Sequence, residues 1–347
     1  MVTGTQIGYA VGLALLLPLG DLLENRKLTS RTLVVTAAAL VLAAFAPNLW
    51  VFLIASVLVG VTSVVAQILV PLAAHLAPED SRGKFVGQVM TGLLLGIMLA
   101  RTVASFAAAA WGWRSIYAIS AALMLLTSIA LWKMLPNRAP SHTAGYRSLL
   151  GSILRLARTE PMLRRRALTQ ALLFGAFTAF WTAIAYELID HHHLSQAGVA
   201  VFALVGAAGA AAAPIAGRLG DAGRGSISRV GALVLGVAAL VLACVGASNL
   251  YVLAAAGVIL DLAVQSHLVL SQRDIYTLSP DARARVNAIF MTTVFLGGAI
   301  ASAGTAIVQE HWGWTGTTLF AAALPVIAIG IWLYESATTR RKQPASS

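Results

Sequence analysis

Long apolar runs alternate along this chain with short polar or charged connections. Each run has roughly the 17 to 25 residues that an α-helix needs to cross a hydrocarbon core of about 30 Å. A transmembrane β-barrel would instead show segments of about ten residues with alternating polarity, and the sequence has none. The pattern therefore predicts an all-α integral membrane protein with eleven spans, at 5–23, 32–46, 50–75, 85–109, 115–135, 166–188, 197–217, 228–247, 251–271, 287–308 and 316–335.

Three polar landmarks between these runs recur about 200 residues later. Pro18-Leu-Gly-Asp21 returns as Arg218-Leu-Gly-Asp221, and Trp111-Gly-Trp113 returns as Trp312-Gly-Trp314. The third landmark, Pro78 to Arg82, returns as Pro280 to Arg283. A repeat of this period across apolar spans predicts two tandem helical bundles of similar fold, which is the architecture of many transporters.

Composition and charge support a membrane protein and predict its orientation. Apolar residues make up 59% of the chain and charged residues 11%, and the mean hydropathy is +0.82. Of the 24 Lys and Arg residues, 22 lie in every second connection or in the C-terminal tail; the exceptions are Arg101, inside a span, and Arg114. Because cytoplasmic loops collect Lys and Arg, we expect a cytoplasmic C-terminus. The net charge of +11 then reflects the basic cytoplasmic connections of a membrane protein and indicates no nucleic-acid partner.

The first landmark carries a family resemblance. Leu17 to Leu28, with Leu-Gly-Asp followed by Arg26, resembles the loop signature of the major facilitator superfamily, and Gly217 to Arg224 is similar to a degenerate second copy. The resemblance implies two six-helix bundles that rock about one central cavity. This chain looks like a 5 + 6 form of that 6 + 6 fold, without the first helix. The counterpart of span 166–188 would precede Met1, so either the protein starts upstream or an unpaired half suffices.

A narrower resemblance concerns the exporters of this superfamily. Gly92 to Val103, followed by Trp111-Gly-Trp113-Arg114, is similar to a bacterial branch of drug and metabolite exporters. Two positions depart from it. Val57 stands where proton-coupled exporters commonly carry an Arg three residues before a Gly, and Ala100-Arg101 replaces a Gly-Pro pair. The resemblance implies proton antiport, whereas these departures weigh against it.

The predicted organisation has four parts: an N-terminal bundle at 1–135, a cytoplasmic linker at 136–165, a C-terminal bundle at 166–336 and a cytoplasmic tail at 337–347. Within the linker, Tyr146 to Arg158 mixes leucines with arginines in a pattern typical of an amphipathic helix on the inner leaflet.

The repeated loop signature predicts a gate on the cytoplasmic side. A carboxylate at a helix end and an arginine a few residues later can pair with the other bundle in one state and release it in the next. We assign Asp21, Arg26, Asp221 and Arg224 to this gate. The alternative is that these are ordinary interfacial charges capping helix ends.

Two charges lie deep within predicted spans, well away from the span ends, where a charge costs at least about 2.5 kcal/mol. Arg101 and Asp261 are at similar depth, and in the resembled fold their helices approach each other. We therefore predict that they pair, with Asp261 as the titratable coupling or substrate-binding group. The alternative is a permanent structural ion pair.

Amides and one indole extend this polar surface. Gln265 and Gln272 share a helical face with Asp261. Gln67 lies in span 50–75, while Gln170 and Trp181 lie in span 166–188. The resemblance places these helices around the central cavity. A mixed aromatic and amide wall suits a small amphipathic organic solute.

The expected function is secondary transport of such a solute by alternating access, as proton-coupled efflux across a bacterial cytoplasmic membrane. The expected partners are the solute, protons and the lipid bilayer, and the expected state is a monomer. No nucleotide-binding loop, nucleophile-base pair or metal-ligand cluster appears, so we predict neither enzyme activity nor a cofactor. The alternatives are a facilitator or importer, and a non-transporting receptor or scaffold of the same fold.

Overall fold

The computed structural model describes residues 2–76, 88–89, 92, 96, 99–100, 103–104, 106–137, 145–206, 225–278 and 283–342. All regular structure in these residues is helical. The helices are α1 (Val2–Leu15), α2 (Asn25–Ala44), α3 (Leu49–Thr62), α4 (Val65–Leu76), α5 (Trp113–Met134), α6 (Tyr146–Thr159), α7 (Pro161–Asp190), α8 (Gln196–Ala203), α9 (Gly225–Val245), α10 (Leu250–Tyr276) and α11 (Arg283–Lys342), with a 3₁₀ helix at Leu17–Asp21.

Eight helical segments of the described residues have the length and apolarity to cross a membrane. The longest, Arg285–Glu335, has 51 residues and contains two of the predicted spans, 287–308 and 316–335. Predicted spans 85–109 and 197–217 lie largely outside the described residues, so the count of eleven stays a prediction. The all-α membrane fold is confirmed.

One repeated landmark has a similar backbone conformation in both copies, with a positive φ at its glycine. Gly112 has φ 80° and ψ 162°, and Gly313, which breaks α11, has φ 58° and ψ −153°. This region of backbone space is accessible almost only to glycine. The Trp-Gly-Trp landmark is therefore a tight reversal between consecutive helices in each copy.

Replacing Gly313 with Ala is expected to lower the free energy of unfolding by about 1–3 kcal/mol, because a side chain strains this conformation. Gly330 is the matched control, since it lies in the same helix and a Cβ there meets no atom within 4 Å. Gly330→Ala should be neutral or slightly stabilising. Denaturant titration of the two variants in mixed micelles tests the comparison; equal effects would contradict it.

Two predicted spans are not continuous α-helices. Span 5–23 is interrupted after Leu15, where Pro18 lacks an amide hydrogen and disfavours an α conformation before it, so the chain continues as the 3₁₀ helix. Span 50–75 breaks between α3 and α4. There, Thr62 Oγ1 donates to Leu58 O (2.9 Å) and Ser63 Oγ to Val59 O (2.6 Å). Such hydroxyl bonds compete with the helix ladder and bend it.

The chain divides into two compact units. Unit 1 comprises Met1–Thr159 and Gln196–Leu204, and unit 2 comprises Glu160–Ser195 and Val205–Ser347. In unit 1, α1 lies so close to α3 that a Cβ on Gly8 or Gly60 would collide with backbone of the other helix. In unit 2, a Cβ on Gly297 of α11 would lie 2.7 Å from Ala171 O of α7. Small residues thus allow close backbone contact in each unit.

The amphipathic segment of the linker forms α6. Leu149 is buried, whereas Arg147, Arg155 and Arg158 are exposed. The Tyr146 hydroxyl donates to Leu15 O at 2.9 Å and so attaches the start of α6 to the end of α1. The position of α6 on the inner leaflet stays a prediction.

Candidate functional site

Asp261 and Trp181 are in direct contact inside unit 2. Asp261 lies on α10 with only 7% of its surface exposed, and its Oδ1 accepts a hydrogen bond from Trp181 Nε1 of α7 at 2.9 Å. An indole N–H can only donate and a carboxylate accepts readily, so the two groups are complementary. The sequence analysis identified both residues as candidates but did not predict that they contact each other.

The predicted partner of Asp261, Arg101, lies outside the described residues, as do the gate residues Asp221 and Arg224. Asp21 is the last residue of the 3₁₀ helix. Arg26 lies in unit 1, where its guanidinium stacks 4.5 Å from the Trp132 ring centre and donates to Asn137 Oδ1 at 3.1 Å. The Arg101–Asp261 pair and the gate therefore stay predictions.

An aromatic stripe extends along α7 from Trp181. Phe174, Phe177 and Trp181 recur at the three- and four-residue spacing of one helical face. Their neighbouring ring centres are 5.6 and 6.4 Å apart, and Phe295 of α11 lies 5.1 Å from Phe174. All four rings are half-buried, so part of each face remains accessible. The sequence analysis missed the phenylalanines, although their spacing within one predicted span was a usable signal.

A carboxylate at the end of an aromatic stripe has a defined chemistry. The rings offer apolar surface and polarisable faces, and Asp261 offers a negative charge or a hydrogen-bonding carboxyl group. This combination fits a solute that has both an apolar body and a polar group. Within the described residues, no group of three or more His, Cys, Asp or Glu side chains could hold a metal ion.

Gly206 lies against this carboxylate. A Cβ at this position would be 2.7 Å from Asp261 Oδ2 and 3.1 Å from Trp181 Cζ2. Both distances are shorter than comfortable contacts, so glycine leaves the room that the carboxylate and the indole occupy. The sequence analysis did not identify Gly206, because thirty glycines in the chain give no signal for a single close approach.

We expect Gly206→Ala to reduce transport strongly, because the added methyl group displaces the Asp261 carboxylate without removing any polar group. Gly257→Ala is the matched control. Its Cβ would meet Phe180 at 3.6 Å and Trp181 at 3.7 Å, which are ordinary contacts, so transport should persist. The initial rate of solute flux in proteoliposomes, normalised to inserted protein, measures the difference. Equal rates for the two variants would contradict this role for Gly206.

Gln170 takes part in a separate buried cluster. Gln170 Oε1 lies 2.6 Å from His267 Nδ1, and Ser271 Oγ lies 3.3 Å from the same nitrogen. Because an amide oxygen only accepts, Nδ1 carries the hydrogen of the shorter bond. Gln170 Nε2 also donates to Val264 O at 3.5 Å. Gln170 therefore joins α7 to α10 through fully buried polar bonds.

The remaining predicted amides are distributed over both units. Gln272 Nε2 donates to Asn287 Oδ1 of α11 at 3.2 Å, and Tyr276 donates to the same oxygen at 3.0 Å. Gln265 is half-buried on α10. Gln67 lies in unit 1, where its side chain is hydrogen-bonded to the Tyr9 hydroxyl. The structure thus brings Asp261 and Trp181 together and gives three of the amides other partners.

An ion cluster that the sequence analysis missed lies at one end of unit 2. Asp274 Oδ2, near the end of α10, binds Arg166 Nε of α7 at 2.9 Å and Arg229 Nη1 of α9 at 2.6 Å. Glu335, near the end of α11, binds Arg166 Nη1 at 3.1 Å and Arg165 Nη1 at 3.5 Å. Each residue lies near a helix end. The sequence analysis interpreted the arginines only as marks of topology and did not consider the two carboxylates.

The fold, the repeated landmarks and the buried polar groups identify the class of protein. The chain belongs to the Major Facilitator Superfamily, whose family model matches residues 1–209 and 166–347. It is therefore a multi-pass membrane transporter, as the loop signature indicated. Members of this family bind small-molecule solutes.

Two relatives are similar over nearly the whole chain. The "Uncharacterized transporter YgaY" of Escherichia coli O157:H7 is 39% identical over 333 residues, which are 96% of this chain and 84% of that protein. The "Probable transporter SCO4007" of Streptomyces coelicolor is 33% identical over 326 residues, which are 93% of this chain and 75% of that protein.

Two solved structures share the fold. The nucleoside transporter NupG (D323A mutant) has a TM-score of 0.75 at 12% identity, covering 96% of this chain and 90% of that chain. The human organic anion transporter MFSD10 (TETRAN) has a TM-score of 0.69 at 19% identity, covering 95% of this chain and 83% of that chain. At these identities the likeness concerns the fold alone.

Proposed function

We propose that this transporter exports a small amphipathic organic solute in exchange for protons by alternating access. The observation that carries the proposal is the contact between Asp261 and Trp181 at the end of a half-buried aromatic stripe. The stripe would receive the apolar body of the solute, and Asp261 would bind its polar group or a proton.

A buried carboxylate is suited to coupling proton and solute movement, because its ionised form is much less stable within a span than its neutral form. A charge within a span costs at least about 2.5 kcal/mol, so ionised Asp261 favours binding of either a proton or the polar group of a solute. Binding of the proton then disfavours binding of the solute, and the reverse, which is the requirement for exchange. Trp181 Nε1 can donate to either form, because a protonated carboxyl group keeps a carbonyl oxygen that accepts. Protonation would therefore change the charge without removing this contact.

The remaining parts of the proposal concern the cytoplasmic side. Asp21, Arg26, Asp221 and Arg224 would form the gate, and Arg101 would pair with Asp261 in part of the cycle. The C-terminus would lie in the cytoplasm, because the basic connections alternate along the chain. The resemblance to bacterial exporters supports a bacterial cytoplasmic membrane. The transporter would act as a monomer, since each bundle supplies one wall of the cavity in the family fold.

Solute-dependent proton movement in proteoliposomes tests the proposal. The vesicles would contain a pH-sensitive dye, and the panel would include amphipathic amines, amphipathic acids and sugars. We expect at least one amphipathic solute to move protons in the direction opposite to its own flux, and a reversed pH gradient to reverse that flux.

Two outcomes would contradict the proposal in different ways. Solute flux without proton movement would identify a facilitator. Absence of flux for the whole panel, with binding retained, would indicate a receptor or scaffold. Protein-free vesicles provide the background for both measurements.

A further inference from the structure

An open crevice of about 550 Å³ lies between α2 and α5 in unit 1. Ser30 on α2 bonds with Ser128 on α5, and Arg26 on α2 bonds with Asn137 just after α5. The start of α2 therefore lies beside the end of α5, and the two helices run antiparallel. The crevice opens along this pair of helices in unit 1, whereas Asp261 and Trp181 belong to unit 2.

The floor of the crevice is closed by two serines. Ser128 Oγ donates to Ser30 O at 2.9 Å, and Ser30 Oγ donates to Ser128 O at 3.4 Å. Both residues are buried: Ser30 exposes 4% of its surface and Ser128 exposes 5%. Because each hydroxyl is bonded to the opposite backbone, the floor holds the two helices in register.

The walls are apolar and accessible. Val34 and Val35 of α2, and Ile129 of α5, each expose about half of their surface. Trp132 adds a partly exposed indole ring, whose one face is covered by the Arg26 guanidinium. In a membrane-spanning pair of helices, such walls favour contact with hydrocarbon.

Two cations lie at one end of these walls. Arg31 lies one turn before Val35 on α2, and Lys133 lies one turn after Ile129 on α5. Because the helices are antiparallel, both cations are displaced from the valines and Ile129 toward the same end of the crevice. Both are exposed, and neither has an ion pair or hydrogen bond with the described residues. Lys27, in contrast, is paired with Glu24 at 2.7 Å.

We propose that this crevice is a binding site for one anionic phospholipid. Arg31 and Lys133 bind its phosphate headgroup, and one acyl chain lies against Val34, Val35 and Ile129. Two cations that have no carboxylate partner among the described residues, at the mouth of an apolar crevice, are complementary to a lipid with a net negative headgroup. A zwitterionic lipid would bring its own positive group toward the same two cations and would bind less tightly.

Native mass spectrometry of the full chain in detergent tests this site. The protein would be titrated with phosphatidylglycerol and with phosphatidylcholine of identical acyl chains. We expect one phosphatidylglycerol to bind more tightly than any phosphatidylcholine. Arg31→Gln and Lys133→Gln should each weaken that binding about five-fold and leave phosphatidylcholine unchanged. Lys27→Gln, which removes the same charge one turn earlier on α2, should change neither affinity.

A further variant tests the contribution of the apolar wall independently of the two cations. Val35→Trp fills the apolar wall without altering a charge, so it should also weaken phosphatidylglycerol binding. Equal affinities for the two lipids in the unaltered protein would overturn the proposal. So would an equal loss in Lys27→Gln and Arg31→Gln, because the effect would then follow general surface charge. Retention of phosphatidylglycerol by Val35→Trp would exclude the crevice as the site.

Discussion

Asp274→Asn is expected to lower the free energy of unfolding by about 3–5 kcal/mol, the cost of leaving a buried cation without its partner. Arg229 is the cation most affected. Only 6% of its surface is exposed, and Asp274 is the carboxylate that it binds among the described residues. Arg166 loses one bond but retains Glu335. The loss should therefore be localised at Arg229.

A double variant shows whether the unpaired Arg229 causes this loss of stability. Asp274→Asn combined with Arg229→Gln should recover a large part of the stability, since the pair is removed together. Glu24→Gln is the control for an exposed cation, because it removes the partner of Lys27, whose side chain is 54% exposed, and should cost about 0–1 kcal/mol. Unfolding by SDS in mixed micelles, followed by circular dichroism, compares the variants. Equal losses in the single and double variants would contradict the explanation.

Asp261→Asn is expected to abolish solute-dependent proton movement, reducing it to the level of protein-free vesicles. Asparagine has the same shape, and its amide oxygen can still accept from Trp181 Nε1, but it cannot bind and release a proton. The protein should therefore insert and fold. Solute exchange without proton movement should remain measurable in the same proteoliposomes, by counterflow of labelled solute.

The contact itself is tested by a matched pair of tryptophan variants. Trp181→Phe removes the donor to Asp261, whereas Trp314→Phe removes a donor to Ala243 O at the same distance of 2.9 Å. Trp181→Phe should reduce coupled flux more than Trp314→Phe does at equal protein insertion. Proton movement at the original rate in Asp261→Asn would show that Asp261 is not the coupling group.

The fold class could be predicted because the solvent imposes it. Each apolar run must form a helix that satisfies its own backbone, so hydropathy located 113–134 and 225–245 to within a few residues. Hydropathy does not report where a helix breaks within a span. The breaks at Pro18 and after Thr62 depend on a missing amide hydrogen and on hydroxyl bonds, which are local chemistry within an apolar run.

The candidate site could be predicted only in part. Asp261 was identifiable because a charge in a span is costly, and Trp181 because it lay on a polar face. Their contact was not, since helical periodicity assigns residues to a face and does not say which face of another helix it meets. Asn287 and the rings of Phe174 and Phe177 were missed because they carry no charge and fit an ordinary apolar or interfacial role.

The position of the ion cluster restricts how unit 2 can move. Arg166, Arg229, Asp274 and Glu335 connect four helix ends at one side of the unit. With these ends held together, α7, α9, α10 and the part of α11 after Gly313 are restrained at one end. Any spreading of these helices must then grow with distance from the cluster. A fluorophore pair near the opposite ends should therefore report larger distance changes than a pair beside Arg166 and Asp274.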